Sequence, residues 1–250
     1  MKHLRSRTKR RRLKNKTRRA LKRLRGGSNH EIQRRIFCFW TGTNEMSENR
    51  KKCMDDLIAK SGCTVVLVKP DNLSSYILKD HPLHPAYEYL SETHKSDFLR
   101  TYFMHLHGGG YSDIKKPTGD WNKAFDDIIG NKEIIINGYH EPSIGGVAGD
   151  EETKSHWKEI PGNCAYIIRP RTEFTEKWYS TLISLLDSKL EALKQNPSKH
   201  PRAGFTPDIS PGYPIKWAEM LGDIFHPLTC KYRHKILFTV PIPDFSSEYL

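Results

Sequence analysis

Long apolar runs are missing from this 250-residue chain, and nothing in it approaches eighteen consecutive apolar residues. That excludes a transmembrane helix, which needs about that length. The N-terminal end also lacks the apolar stretch of a secretory signal. Cysteine is scarce and unpaired: Cys38, Cys53, Cys63, Cys164 and Cys230 are an odd number with no short spacing. This argues against a zinc site and a disulfide framework, and for a reducing, cytoplasmic setting. Cys38 and Cys164 lie in apolar runs and read as small buried hydrophobes.

Acids are missing from one segment. Residues 1–27 hold 14 of the 41 Lys and Arg and no Asp or Glu, leaving 27 basic against 29 acidic residues beyond them. The net charge of +12 therefore belongs to a tail, and the remainder is close to neutral. With only Leu4, Leu13, Leu21 and Leu24 to bury, 1–27 is expected as a disordered or helical basic tail. Its possible uses are a nuclear or nucleolar address, a grip on nucleic acid or another polyanion, and peripheral attachment to an anionic membrane face. Gly26-Gly27-Ser28 reads as the hinge to one domain over 28–250.

What is present beyond the hinge alternates between strand and helix. Arg35 to Trp40 reads as a buried strand, Ser47 to Lys60 as a helix, and Cys63 to Val68 as a second buried strand. A short helix to about Lys79 follows, so strand, helix, strand implies a parallel βαβ unit. Further on, Trp121 to Ile129 reads as helix, Glu133 to Asn137 as strand, Asn163 to Ile168 as strand, and Phe174 to Leu193 as a long core helix. Glycine-rich 141–149 is expected to be a mobile loop. The fold expected is α/β, a mostly parallel central sheet flanked by helices.

The rest is organised around 91–115, SETHKSDFLRTYFMHLHGGGYSDIK. Phe98, Leu99, Tyr102, Phe103 and Leu106 make an apolar stripe at helical spacing, and Ser91 is a candidate N-cap. The glycines 108–110 end the helix, and Tyr111-Ser112-Asp113-Ile114 reads as a short strand. Asp97 and Arg100 are three apart and share a face, an arrangement that on most helices is only a surface ion pair. Helix, turn and strand together can bring Asp97, Arg100, Tyr111 and Asp113 into one pocket.

Ser96-Asp97, Arg100, Gly109-Gly110, Tyr111 and Asp113, in that order, resemble the sugar-binding region of GT-A-fold glycosyltransferases. The group is that of capsular-polysaccharide synthesis proteins, α-mannosyltransferases and glucosylating toxins. The pattern's last acid is replaced here by Lys115. The resemblance implies a single GT-A-like domain that moves a sugar from a nucleotide-sugar donor to a carbohydrate or glycoconjugate hydroxyl. It implies a divalent cation, Mn2+ or Mg2+, held on the donor diphosphate by Asp113 within a DXD-like motif. A late histidine, His226 or His234, would join it. Trp40, Thr41 and Gly42, after the opening strand, would meet the nucleotide base. Asp97, Arg100, Gly109, Gly110 and Tyr111 would line the sugar, Asn163 would lie under the acceptor side, and Lys115 would stand near a phosphate. If the enzyme inverts, Asp208 or Asp150 is a candidate base.

Two other classes are open. Asp113-x-Lys115 has the acid-x-lysine form of a metal-dependent nuclease core, which a basic tail would suit. The missing second acid also admits a catalytically degenerate protein that binds sugar nucleotides.

Overall fold

Arg35–Phe39 forms strand β1, buried from Ile36 onward, as its apolar run requires. Residues 31–245 are described in the computed structural model, so the expected tail, 1–27, lies outside them. Helix α1 (Glu48–Lys60) begins where the Ser47 hydroxyl accepts from the Arg50 amide at 3.3 Å. Strand β2 (Thr64–Val68) follows, in parallel register with β1. The helix expected to reach Lys79 is only a 3-10 turn at Leu73–Ser75.

Helix α2 (Glu92–Leu106) starts at Ser91, whose side chain accepts from the His94 amide. It is buried on almost every side rather than on one stripe, with Asp97, Arg100 and His105 among its buried residues. Gly108 then takes a left-handed φ of 63° and its amide reaches back to the Phe103 carbonyl at 2.9 Å.

Strand β3 (Gly109–Ser112) begins two residues earlier than the pattern predicted. Gly109 and Gly110 are strand residues, pressed against β1. At Gly109 (φ 97°) a Cβ would stand 2.9 Å from the Arg35 carbonyl oxygen. The two glycines are buried and let β3 pack closely against β1.

The remaining elements are α3 (Asn122–Gly130), β4 (Ile136–His140), α4 (Glu151–Ser155), β5 (Pro161–Ile168), α5 (Glu173–Gln195), α6 (Gly222–Lys231) and β6 (Ile236–Leu237). Strand β4 lies three residues later than expected, because Ile134 and Ile135 pack in the approach to it. None of the five cysteines is in a disulfide.

The six strands run in the order β2-β1-β3-β5-β4-β6. The pairs that include β5 are antiparallel and the other three are parallel, so the sheet is mostly parallel. Alternate strand residues feed opposite faces. Phe37, Phe39, Tyr111 and Tyr166 pack with Phe103, Trp178, Leu182 and Phe225 of α2, α5 and α6. Ile36, Cys38 and Ile167 pack with Met54, Leu57, Phe125 and Ile128 of α1 and α3. Each such fully buried large side chain contributes roughly 1.5–3 kcal/mol. No helix of the described residues is long and apolar enough to cross a membrane.

Candidate active site

Strand direction gathers the polar residues at one edge. The carboxyl ends of β1, β2 and β3 lie together there, and antiparallel β5 brings its amino end to the same place, with Ser112 opposite Ala165. Asp113, just past β3, donates its amide to the Cys164 carbonyl at 2.8 Å. Ligand sites of open α/β sheets form at such edges.

Asp97, Arg100, Tyr111 and Asp113 do converge. An Arg100 terminal nitrogen stands 3.3 Å from Asp97 Oδ1 and 3.6 Å from Asp113 Oδ1. The guanidinium carbon sits 4.4 Å from the centre of the Tyr111 ring, and the other terminal nitrogen donates to the Asn163 backbone carbonyl at 2.9 Å. Tyr111 donates its hydroxyl to Asp113 Oδ1 at 2.5 Å. This is no surface pair: the side chains of Asp97 and Arg100 are 4 % and 8 % exposed, while that of Asp113 is 25 % exposed and opens to solvent.

Lys115 completes the cluster. Its ammonium lies 3.7 Å from Asp113 Oδ2, 3.3 Å from Cys164 Sγ and 4.5 Å from the centre of the Phe245 ring. Phe245 lies on a segment that runs beside 116–118, with the Asp244 amide on the Lys116 carbonyl at 3.0 Å.

The two carboxyl groups are driven apart. Burial raises the Asp97 carboxyl above the usual carboxylate range despite Arg100. Burial would raise Asp113 too, but Arg100, Lys115 and the Tyr111 hydroxyl outweigh it and hold that group low. Arg100 Nε and the Tyr166 hydroxyl are buried there without a partner.

The opposite side of α2 borders a cavity of about 250 Å³, lined by Trp40, Thr41, Lys69, Tyr87, Lys95 and Leu99 among others. Trp40 donates its indole N–H to the Asn44 carbonyl at 2.7 Å, and the Thr41 hydroxyl ties to the Glu92 carbonyl at 2.7 Å. Gly42 sits behind them against the Asn44 side chain. Trp40 and Thr41 thus reach a ligand-accessible space, one that Asp113 does not line.

The other expected residues fall elsewhere. His226 is buried, and its Nδ1 accepts from the Ala148 amide at 2.9 Å while the Asn163 side-chain amide lies 2.8 Å from its Nε2. Burial lowers its pKa to about 4, so the ring is neutral and Nε2 carries the proton. The Asn163 atom facing it is Nδ2 and Oδ1 has no partner, so the amide must be turned about for Nε2–H to donate to its oxygen. With both nitrogens engaged His226 has no lone pair for a metal, and its role is to orient Asn163. Asp208 stands on an exposed turn and makes no hydrogen bond or ion pair to the cluster. Asp150 caps α4 instead, accepting from the Thr153 amide at 2.9 Å. His234 is exposed beyond α6.

One residue was missed. Glu141, just past β4, is half-buried against Gly146, where a Cβ would meet its carboxylate. Burial raises its carboxyl, and Lys115 pulls the other way. Nothing in the glycine-rich sequence around it marks it; only the sheet edge does. Among the described residues no group of three or more His, Cys, Asp or Glu side chains could hold a metal ion.

A model of the capsular polysaccharide synthesis protein family matches residues 1–114, which takes in the cluster as far as Asp113. Among solved structures, "PaToxG Glycosyltransferase" is similar at 14% identity and a TM-score of 0.44, over 80% of this chain and 70% of that one. No curated protein matches. The family match coincides with the helix, glycine and strand residues that carry the resemblance to glycosyltransferases.

Proposed function

We propose that this protein transfers a sugar from a nucleotide-sugar donor to a hydroxyl of a carbohydrate or glycoconjugate, with a growing polysaccharide as the acceptor class. The observation that carries this reading is the convergence of Asp97, Arg100, Tyr111, Asp113 and Lys115 at the carboxyl edge of the sheet.

In this reading the nucleotide base lies on Trp40 in the cavity, whose lysines suit an anionic neighbour. The sugar diphosphate runs along the carboxyl edge of the sheet, from the end of β1 toward Asp113 past β3. Arg100 and Asp97 fix hydroxyl groups, since a few oriented polar atoms are what distinguish one sugar from another. Asn163, held by His226, borders the acceptor. Glu141, whose carboxyl burial raises above its ordinary value, takes the acceptor's proton. The C1–oxygen bond of the donor breaks, and its electron pair leaves on the diphosphate as the acceptor oxygen bonds to C1.

A thermal-shift panel of UDP-, GDP- and dTDP-linked sugars tests the reading. One nucleotide class is expected to raise the melting temperature, and Arg100→Met is expected to abolish the rise. Residues 1–27 would act separately: their deletion should leave transfer intact while weakening salt-sensitive binding to polyanions.

A further inference from the structure

We propose that Lys115 stands in for the divalent cation of the related enzymes: its ammonium holds the donor diphosphate, and sugar transfer by this protein needs no metal. This rests on the sugar-transfer reading and specifies how its leaving group is stabilised.

The donor set at Asp113 fits a cation poorly. A hard dication takes oxygen ligands at roughly 2.0–2.6 Å and needs several of them. Asp113 is the only acid of the pattern in place, and its oxygens are already committed. Oδ1 accepts from Tyr111 at 2.5 Å and faces Arg100 at 3.6 Å, while Oδ2 faces Lys115 at 3.7 Å. An ion bound to either oxygen would sit a few ångströms from two fixed positive charges, a repulsion that a partly buried site does little to screen. His226 cannot supply a further ligand, since both ring nitrogens are engaged.

What the cluster does offer is hydrogen-bond donors. Arg100 Nε and the Tyr166 hydroxyl are buried and unpartnered, and they suit the oxygens of an anion. The Lys115 side chain is 10 % exposed and is held by Asp113 and Cys164. A pre-positioned, partly desolvated ammonium is a strong point charge for a phosphate. As the C1–oxygen bond breaks, charge grows on the diphosphate and Lys115 neutralises it while keeping its proton. Asp113 is then a positioning residue that holds Lys115 and Arg100 in place.

The test is calorimetry on the full chain with UDP, GDP, dTDP and inorganic pyrophosphate, each in EDTA and in Mn2+. At least one diphosphate is expected to bind in EDTA, with an affinity that Mn2+ does not improve. Lys115→Gln should weaken that binding by roughly ten- to hundredfold, the worth of a charged hydrogen bond, and leave the nucleoside alone unaffected. Lys115→Arg should restore most of it. Lys115→Asp should make binding depend on Mn2+, because it returns the second acid. Binding by the unaltered protein only in Mn2+ overturns the inference and leaves the sugar-transfer reading standing, and that arm depends on no variant folding. Equal affinity in Lys115→Gln overturns it as well. Absence of binding in every arm overturns both.

Discussion

Arg100 stands between Asp97 and Asp113, 3.3 Å from one carboxylate and 3.6 Å from the other, with its own side chain almost wholly buried. A buried charge left without its partner is costly in a way that a surface pair is not. Arg100→Met should therefore lower unfolding stability by about 3–5 kcal/mol. Replacing Asp97 by Leu at the same time should recover a large part of the loss. Urea denaturation of the single and double variants measures both, and a single-variant loss below about 1 kcal/mol would mean that the pair behaves as an exposed one.

The proposed mechanism gives Glu141 the acceptor's proton. Glu141→Gln keeps the shape of the side chain and removes the base, so the transfer rate constant should fall by roughly 10²–10⁴-fold. Donor binding, read by calorimetry, should stay as it was. An unchanged rate would remove Glu141 from the mechanism.

Trp40 contributes aromatic surface to the cavity. Losing base stacking typically costs about 1–3 kcal/mol, so Trp40→Ala should weaken nucleotide binding by roughly five- to hundredfold. Pyrophosphate affinity should hold, because that anion does not use the ring. Competition experiments with the two ligands separate these effects.

Acid should destabilise the fold through its buried histidines. The His226 pKa falls from its ordinary 6.5 to about 4 because burial disfavours the charged ring. Burial lowers His94, His105 and His107 in the same direction. With a depressed folded pKa, the unfolded chain binds protons first as pH falls. The histidine contribution to stability is therefore full above about pH 6.5, declines toward pH 4 and levels below it, with His226 alone accounting for about 3 kcal/mol. His226→Asn keeps an acceptor for the Ala148 amide and should flatten part of the slope in melting temperature between those values. An identical slope would show that His226 titrates normally.

Much of this was legible in the chain. The apolar run of β1 and the Ser91 cap report local physics, and the structure has them where that physics puts them. Strand β2, expected to be buried, is instead a half-exposed edge strand with only Val68 buried, and α2 is buried well beyond its stripe. The cluster was legible because Asp97, Arg100, Tyr111 and Asp113 are close in sequence, so a helix, a glycine and a strand suffice to bring them together. The contacts of His226, with Ala148 and Asn163, depend on long-range packing that no local pattern encodes. Helix α6 was hidden by Pro227 inside it, a residue that normally argues for a helix end. Glu141 became visible only when antiparallel β5 set the end of β4 beside the end of β3.

The most direct measurement is release of nucleoside diphosphate from a panel of UDP-, GDP- and dTDP-sugars by the full chain and by Asp113→Asn, with labelled DNA and RNA as parallel substrates. The expected result is slow release from one donor class, faster with a glycan acceptor, lost in the Asp113 variant, with the nucleic acids intact. Cleavage of nucleic acid with no release from any donor would contradict the account.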